Sequence, residues 1–299
     1  MTPPAAQGLL RTRDRRTPIV DGEYALTAED FRQIASILYA DAGIALADSK
    51  ATLVYSRLAK RLRALQLASF SEYCALLSSS DGAAERQAMM AALTTNVTRF
   101  FREPHHFEDL KAKVLPPLLD AARRGARLRI WSAGCSTGQE PYSIALTILS
   151  LMPEAGRHDI RILASDIDFN VVAAAREGLY PEEAIEAIPG PMRKSFLERG
   201  PSPGEWRMGA AARALIAFRE LNLMGEWPMK GPFDVIFCRN VAIYFDDRTQ
   251  ARIWERFSRL LAPGGTLYIG HSERVAGPAS ALLETDGLTT YRRRGGGGA

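Results

Sequence analysis

The sequence is poor in the residues that make covalent staples or metal centres. Its three cysteines, Cys74, Cys135 and Cys238, lie far apart with no CxxC pair, which offers neither a disulfide framework nor a cysteine-rich zinc site. Histidine numbers only four. No apolar run reaches the length of a membrane span before Arg, Asp or Pro breaks it, so a membrane-inserted chain is not expected. A large excess of one charge is also missing: 38 Lys+Arg against 34 Asp+Glu leave +4, far from the concentrated charge of a chain that coats nucleic acid. Any basic surface must be local. The N-terminus carries Pro3, Pro4 and an Arg-rich run from Arg11 to Arg16 but no apolar signal-peptide core, which makes the reducing cytoplasm the expected compartment.

What is present points to a two-domain globular protein. The 299 residues are about twice the ~150-residue prior for one domain, and 46% hydrophobic with 24% charged residues is ordinary soluble usage. Residues 1–22 are rich in Pro, Arg and Thr without periodic hydrophobics and read as a disordered tail. Residues 23–92 read as a small all-helical domain. Thr27 is placed to cap a first helix with Asp30 at the box position, and Phe31, Ile34, Leu38 and Tyr39 recur at helical spacing up to Gly43. In the next stretch Val54, Leu58, Leu62 and Leu65 form an apolar stripe, while Arg57, Lys60 and Arg61 share another face. Residues 93–107 read as a linker.

Residues 108–294 read as a second domain, in which strands alternate with helices from Arg127 onward, and this argues for a doubly wound parallel α/β sheet. Leu128–Trp131 form a strand, Gly134-Cys135-Ser136-Thr137-Gly138 a turn and Glu140–Leu151 a helix. Ile160–Ala164 form a second strand ending in Asp166, Phe233–Cys238 a third ending in Arg239-Asn240, and Thr266–Gly270 a fourth. Residues 189–214 interrupt the alternation and read as an insertion. The glycine run in 295–299 reads as a flexible tail.

Ligands of open α/β sheets bind outside the carboxyl ends of the strands. The Gly134-x-x-x-Gly138 turn there departs from the GxGxxG dinucleotide fingerprint, although its glycines would let backbone pass close under a ligand. Glu140 in the first helical turn would repel a phosphate and attract an ammonium group. Asp166 can accept the two hydroxyls of a ribose, and it stands further beyond Gly138 than the ~20-residue spacing of the nucleotide fingerprint. A nucleoside carrying an amino-acid group, such as S-adenosylmethionine, fits both features; a plain tight turn is the alternative. Other strand-end candidates are Asn240, which could read an adenine or amino-acid edge, and Tyr244. The run from Thr94 to Phe107 concentrates polar groups, and Arg102 could hold a carboxylate by a bidentate fork, or the run is a polar linker anchored by Phe100 and Phe101. His105 and His106 lack a Cys, Asp or third His at ligand spacing, so no metal is expected. Cys238 reads as a core residue, and adjacent His271-Ser272-Glu273 cannot form a triad from one strand.

Taken together, the residues resemble the CheR family of methyltransferases. The motifs that carry the resemblance are the basic helix from Tyr55 to Leu65, Asn96-Val-Thr-Arg-Phe-Phe-Arg-Glu103, Trp131-Ser-Ala-Gly-Cys-Ser-Thr-Gly-Gln-Glu-Pro-Tyr-Ser143, Phe237-Cys-Arg-Asn-Val-Ala-Ile-Tyr-Phe-Asp246 and Gly270-His-Ser-Glu273. It spans about Thr27 to Arg292. The resemblance implies a class I, Rossmann-like S-adenosylmethionine-dependent methyltransferase domain with a small β-subdomain inserted, preceded by the helical domain. It implies protein-glutamate O-methyltransferase activity on the cytoplasmic helical bundle of methyl-accepting chemotaxis receptors, giving S-adenosylhomocysteine.

Carried over by motif position, the cofactor contacts would come from Asn96, Thr98, Arg102, Gly134, Glu140, Asp166, Asn222, Leu223, Asn240 and Val241. Arg102 and Tyr244 would position groups, with no general base. Arg57, Lys60, Arg61 and Arg63 would dock the acidic receptor surface. Gln139 and Ala242 depart from the family's usual Glu and Met. The insertion reads as short and glycine-poor around Ser202–Gly209 compared with members that grip a receptor C-terminal pentapeptide, so a pentapeptide-independent monomer is expected.

Overall fold

A computed structural model describes residues 17–295. They divide into two compact units, one comprising the described residues up to Ala40 with Leu46–Leu93, the other Asp41–Ala45 and the chain from Thr94 onward.

In the first unit, two antiparallel strands, β1 (Pro18–Val20) and β2 (Leu26–Thr27), precede α1 (Ala28–Ala42), α2 (Ala51–Leu65), α3 (Phe70–Ser78) and α4 (Ala83–Leu93). The capping box is realised at the start of α1. Asp30 N donates to Thr27 Oγ1 at 3.1 Å, and Thr27 N donates to Asp30 Oδ2 at 3.1 Å. Phe31, Ile34 and Leu38 of α1 are buried, as are Val54, Leu58 and Leu62 of α2, whereas Tyr39, expected on the same stripe, is exposed. The expected tail is corrected in part. Pro18–Val20 pair with β2, because the apolar Ile19 and Val20 interrupt an otherwise polar segment; residues 1–16, with the Arg-rich run, lie outside the described residues, as do 296–299.

The second unit opens with α5 (Pro104–Asp109), a π-helical turn (Leu110–Val114) and α6 (Leu115–Arg123), which the scattered prolines had hidden from a periodicity reading. Then come β3 (Leu128–Ala133), α7 (Gln139–Leu151), β4 (Ile160–Asp166), α8 (Phe169–Glu177), β5 (Leu179–Pro181), α9 (Glu182–Ile185), α10 (Gly190–Phe196), β6 (Leu197–Arg199), β7 (Glu205–Met208) and α11 (Ala210–Ala214). β8 (Ile216–Glu220), β9 (Phe233–Cys238), α12 (Asp247–Leu260), β10 (Leu261–Ile269), β11 (Leu283–Gly287) and β12 (Thr290–Arg293) complete it.

Seven strands form one sheet in the order β11-β12-β10-β9-β3-β4-β8. The run β10-β9-β3-β4-β8 is parallel and the β11–β12 hairpin antiparallel, so the sheet is mixed and not wholly parallel. Alternate residues of β3 and β9 face opposite layers: Ile130 and Phe237 join one buried cluster, Trp131 and Ile236 the other. Strand order reverses between β3 and β9, the switch point at which open α/β sheets place their ligands.

The insertion is a three-stranded antiparallel sheet in the order β5-β7-β6. It starts at Leu179, ten residues ahead of the expected 189 boundary, because the three residues of β5 are too few to show a period. Its β6–β7 turn is not glycine-poor: Gly200 and Gly204 lie in it, and Gly204 sits at φ +78, where glycine alone is unstrained.

Candidate functional site

Four segments gather at the carboxyl edge of the sheet: the turn after β3, the end of β4, the loop after β8 and the loop after β9. Residues 96–103 join them. Gly134 has φ +81, Ser136 φ 49, and Gly138, the N-cap of α7, φ +95. A Cβ on Gly134 would fall on Val241 Cγ2, and one on Gly138 would lie 2.8 Å from Tyr180 Oη and 2.9 Å from Ala175 Cβ. The expectation that these glycines clear space for a ligand is therefore corrected. Their bareness lets protein close on the turn, with the β9 loop seated on Gly134.

Asp166 is buried at the end of β4. Ser136 N donates to its Oδ2 at 2.8 Å and Asp168 N to its Oδ1 at 3.1 Å. Burial raises its proton affinity, and these backbone donors oppose the rise. Each carboxylate oxygen keeps a lone pair for a further donor. Asn96 completes the network: its Nδ2 donates to Asp168 Oδ2 at 2.8 Å, and its carbonyl accepts from Ser136 Oγ at 2.8 Å. Thr98 is half-buried two residues on, and Val97 between them is 78% exposed. Leu221 N donates to the Asp166 carbonyl at 2.8 Å, which brings Asn222 to the same edge. The Asn222 amide is taken up by protein: Nδ2 donates to the Asp41 carbonyl at 2.5 Å and Oδ1 accepts from Met224 N at 2.8 Å. Leu223 is buried beside it.

Glu140 is largely buried at the first turn of α7, its side chain 12% exposed. Its Oε1 accepts from Ser132 Oγ at 2.7 Å and its Oε2 from Arg239 Nη1 at 3.1 Å. Burial pushes its pKa up, while the Arg239 charge pulls it back toward ionisation. The Arg239 side chain, 2% exposed, also lies 3.4 Å from Glu103 Oε2, and its Nη2 donates to the Arg102 carbonyl. For Glu103, burial acts to raise the pKa, but Arg239 and a bond from His271 outweigh it and the net value is lowered. Arg102 itself is half-buried, with Nη1 donating to the Val97 carbonyl at 3.0 Å.

After β9 the chain turns on Asn240, at φ 59, a left-handed conformation that Asn tolerates. Glu273 builds this loop. Its carboxylate accepts from the N–H groups of Gly270 (2.6 Å), Val241 (2.9 Å), Asn240 (3.1 Å) and Ile243 (3.3 Å). Tyr244 follows, half-buried. Asn240 Oδ1 is buried and has no protein donor.

Sequence reasoning noticed Arg239 and Glu273 only as motif members, and Ser136 and Asp168 not as site residues. A buried charge pair or a carboxylate serving backbone amides leaves no periodic signal. It also discounted a metal cluster at His105 and His106 for want of a third ligand, whereas Glu103, His105 and His106 bring ligand atoms within 4.8 Å of one another. Arg239 already places a cation against this group, and together with burial it lowers the His106 pKa to about 3, keeping that ring neutral.

Of the four residues expected to dock a partner, the structure gives three to the first unit's own framework. Arg61 forms a two-pronged bond to Glu85, Nε–Oε1 at 3.0 Å and Nη2–Oε2 at 2.5 Å. Arg57 Nη1 donates to the Ala92 and Leu93 carbonyls at the end of α4, and Arg63 pairs with Glu23 at 2.7 Å. Lys60 is exposed.

The switch-point site, the acidic end of β4 and the strand order define a class I S-adenosylmethionine-dependent methyltransferase. The description "CheR methyltransferase, SAM binding domain" matches residues 96–290, and "CheR methyltransferase, all-alpha domain" matches residues 29–94. A probable chemotaxis protein methyltransferase of Rhizobium etli is 55% identical over 258 residues, 86% of this chain and 96% of that protein. Chemotaxis protein methyltransferase 2 of Pseudomonas aeruginosa is 48% identical over 278 residues, 90% and 94% of the two chains. The chemotaxis protein methyltransferase of Escherichia coli is 45% identical over 257 residues, 84% and 86%. The chain belongs to the CheR methyltransferase family.

Proposed function

We propose that this protein esterifies glutamate side chains on the cytoplasmic helical bundle of methyl-accepting chemotaxis receptors, acting as a monomer in the cytoplasm. The observation that carries the reading is that the acidic groups of the site are held by protein partners: Glu140 by Ser132 and Arg239, Asp166 by backbone N–H groups, Glu103 by Arg239 and His271. A nucleophile that had to lose a proton would need a free base here. A glutamate carboxylate, with a pKa of about 4.3, does not.

The residues fit S-adenosylmethionine. Asn240 Oδ1 offers a buried, unclaimed acceptor to an amino edge of the nucleoside, and Asp166 keeps lone pairs for ribose hydroxyls. Glu140 suits the ammonium group and Arg102 the carboxylate at the amino-acid end. When bound, that molecule supplies an electrophilic methyl on sulfur. Arg102 and Tyr244 orient the reacting groups, and the Asn96 and Asn240 loops exclude water, so rate comes from alignment and desolvation. On the first unit, the exposed Lys60 of α2 attracts the Glu-rich receptor surface. No metal enters this chemistry.

The test is transfer of labelled methyl from S-adenosylmethionine to a purified receptor fragment, released as methanol in mild base. Label on glutamates that is lost on base treatment is expected, and Asp166→Ala should weaken binding of S-adenosylhomocysteine. Base-stable label would assign another substrate, and ligand binding without transfer would make the protein a sensor. The five-residue β6–β7 turn Gly200–Gly204 supports pentapeptide independence. Calorimetry with a receptor C-terminal pentapeptide should show no saturable binding, and a saturable isotherm would overturn this.

A further inference from the structure

Arg102 is flanked by two non-glycine residues in the left-handed region, Phe101 at φ 52 and Glu103 at φ 56. Each such conformation is unfavourable for a residue with a side chain and persists only where surrounding structure holds it. The holding group is identifiable: the carbonyl between the two strained residues accepts from Arg239 Nη2, and Glu103 turns its own carboxylate back to the same guanidinium. Across the guanidinium, Nη1 reaches Glu140 Oε2 at 3.1 Å. The Phe107 ring lies 5.7 Å from Arg239 Cζ. One buried cation thus ties together the residue that faces an ammonium group and the loop that carries a carboxylate clamp.

We propose that Arg239 is the positioning residue of this site, fixing the Glu140 carboxylate and the Arg102 loop in the single arrangement that grips both charges of an α-amino-acid end. This rests on the assignment of Glu140 and Arg102 to that end of S-adenosylmethionine. Arg239 touches no reacting atom in this role. It works through Glu140, whose burial favours the neutral acid and whose ionised form is supported by Arg239 alone among its charged neighbours. Ser132 from β3 donates to it as well, whereas Glu103 from the loop and the buried Cys135 and Cys238 nearby add no positive charge. Removing Arg239 takes away the charge that opposes burial and shifts Glu140 toward the neutral acid, the form that binds an ammonium less well.

The experiment is calorimetric titration of S-adenosylhomocysteine, which retains the amino-acid end, between pH 6 and pH 8.5. The proteins are the wild type, Arg239→Met, Arg239→Lys, Glu140→Gln and the Glu140→Gln/Arg239→Met pair, each checked by circular dichroism. Wild-type affinity should stay level with pH. Arg239→Met should bind at least about tenfold more weakly at pH 7 and regain affinity as pH rises, by up to about tenfold per unit. Arg239→Lys, which keeps the charge but loses the fork, should flatten the profile and recover part of the affinity. The double variant should be weak at every pH. An Arg239→Met protein that binds within about twofold of wild type, or that loses the same factor at every pH, overturns the proposal. Should Arg239→Met not fold, a pH-level loss in Arg239→Lys as large as that in Glu140→Gln does the same. Glu140→Gln with wild-type affinity removes Glu140 from the cofactor site and overturns both readings. A weakened Glu140→Gln beside a pH-level Arg239→Met overturns the role of Arg239 only.

Discussion

A charged side chain on a helix face reads the same in sequence whether it waits for a partner or already has one, and Arg61 has one. Its fork meets Glu85, only 7% exposed, and the second oxygen-bound donor is Tyr73 Oη at 2.8 Å from Glu85 Oε1. The Arg61 guanidinium side chain is 32% exposed, the Glu85 side chain 8%. Truncating Arg61 would therefore strand a carboxylate out of water, and Arg61→Ala should lower the stability of the first unit by about 2–4 kcal/mol. Arg63 faces Glu23 with both side chains about half exposed, so Arg63→Ala should leave the stability close to that of the wild type. Urea midpoints of the two variants make the comparison; equal midpoints would return Arg61 to the docking surface. Charge-reversal tests of receptor recognition accordingly belong at Lys60, where fold and docking do not share a residue.

At the level of elements, legibility followed the strength of the local signal. The capping box of α1, the short apolar runs of β3 and β9, buried on both faces, and the glycine turn before α7 declare themselves because residue type alone marks each of them. β8 was missed: Ile216–Glu220 is a parallel edge strand with one buried residue, Phe218, and nothing in five residues shows a period. β11 buries only Leu283, and the Asp286-Gly287 dipeptide ends β11 just before the hairpin turns on Leu288 and Thr289, so the turn signal stands beside a strand with almost no apolar pattern. The segment 96–103 was legible as chemistry but not as shape. Its polar residues and paired Phe marked a binding loop, whereas the left-handed Phe101 and Glu103 are imposed by Arg239, more than a hundred residues away, and by the Ser143 hydroxyl that accepts from Phe101 N at 2.9 Å. Backbone strain sustained by a distant side chain has no local signature. Sequence alone singled out Glu140 and Asp166, but not Arg239, Ser136 and Asp168, whose hydrogen bonds hold those two carboxylates in place.

At the scale of the whole molecule, a net charge of +4 says little, but the distribution of residue types between the two units gives an experimental handle. All candidate cofactor contacts, from Asn96 to Val241, lie in the second unit, and so do the four tryptophans, Trp131, Trp206, Trp227 and Trp254. Trp131 and Trp254 are fully buried in the sheet's second cluster, with Trp227 packed against Trp131 at 4.9 Å between ring centroids. Tryptophan fluorescence therefore reports the melting of the second unit, while α1–α4 contribute to far-UV circular dichroism without any tryptophan. A ligand that binds only the folded state adds about 2.7 kcal/mol at a hundred times its Kd. For a unit of roughly 200 residues that is a rise in Tm of about 5–10 °C. S-adenosylhomocysteine at that concentration should raise the fluorescence midpoint by this amount and leave the helical signal of α1–α4 where it was. A fluorescence midpoint that does not move would take the cofactor site out of the second unit. If the whole circular-dichroism loss moved with the fluorescence, the first unit would owe its stability to the second, and its helices could not be treated as an independently folding docking module.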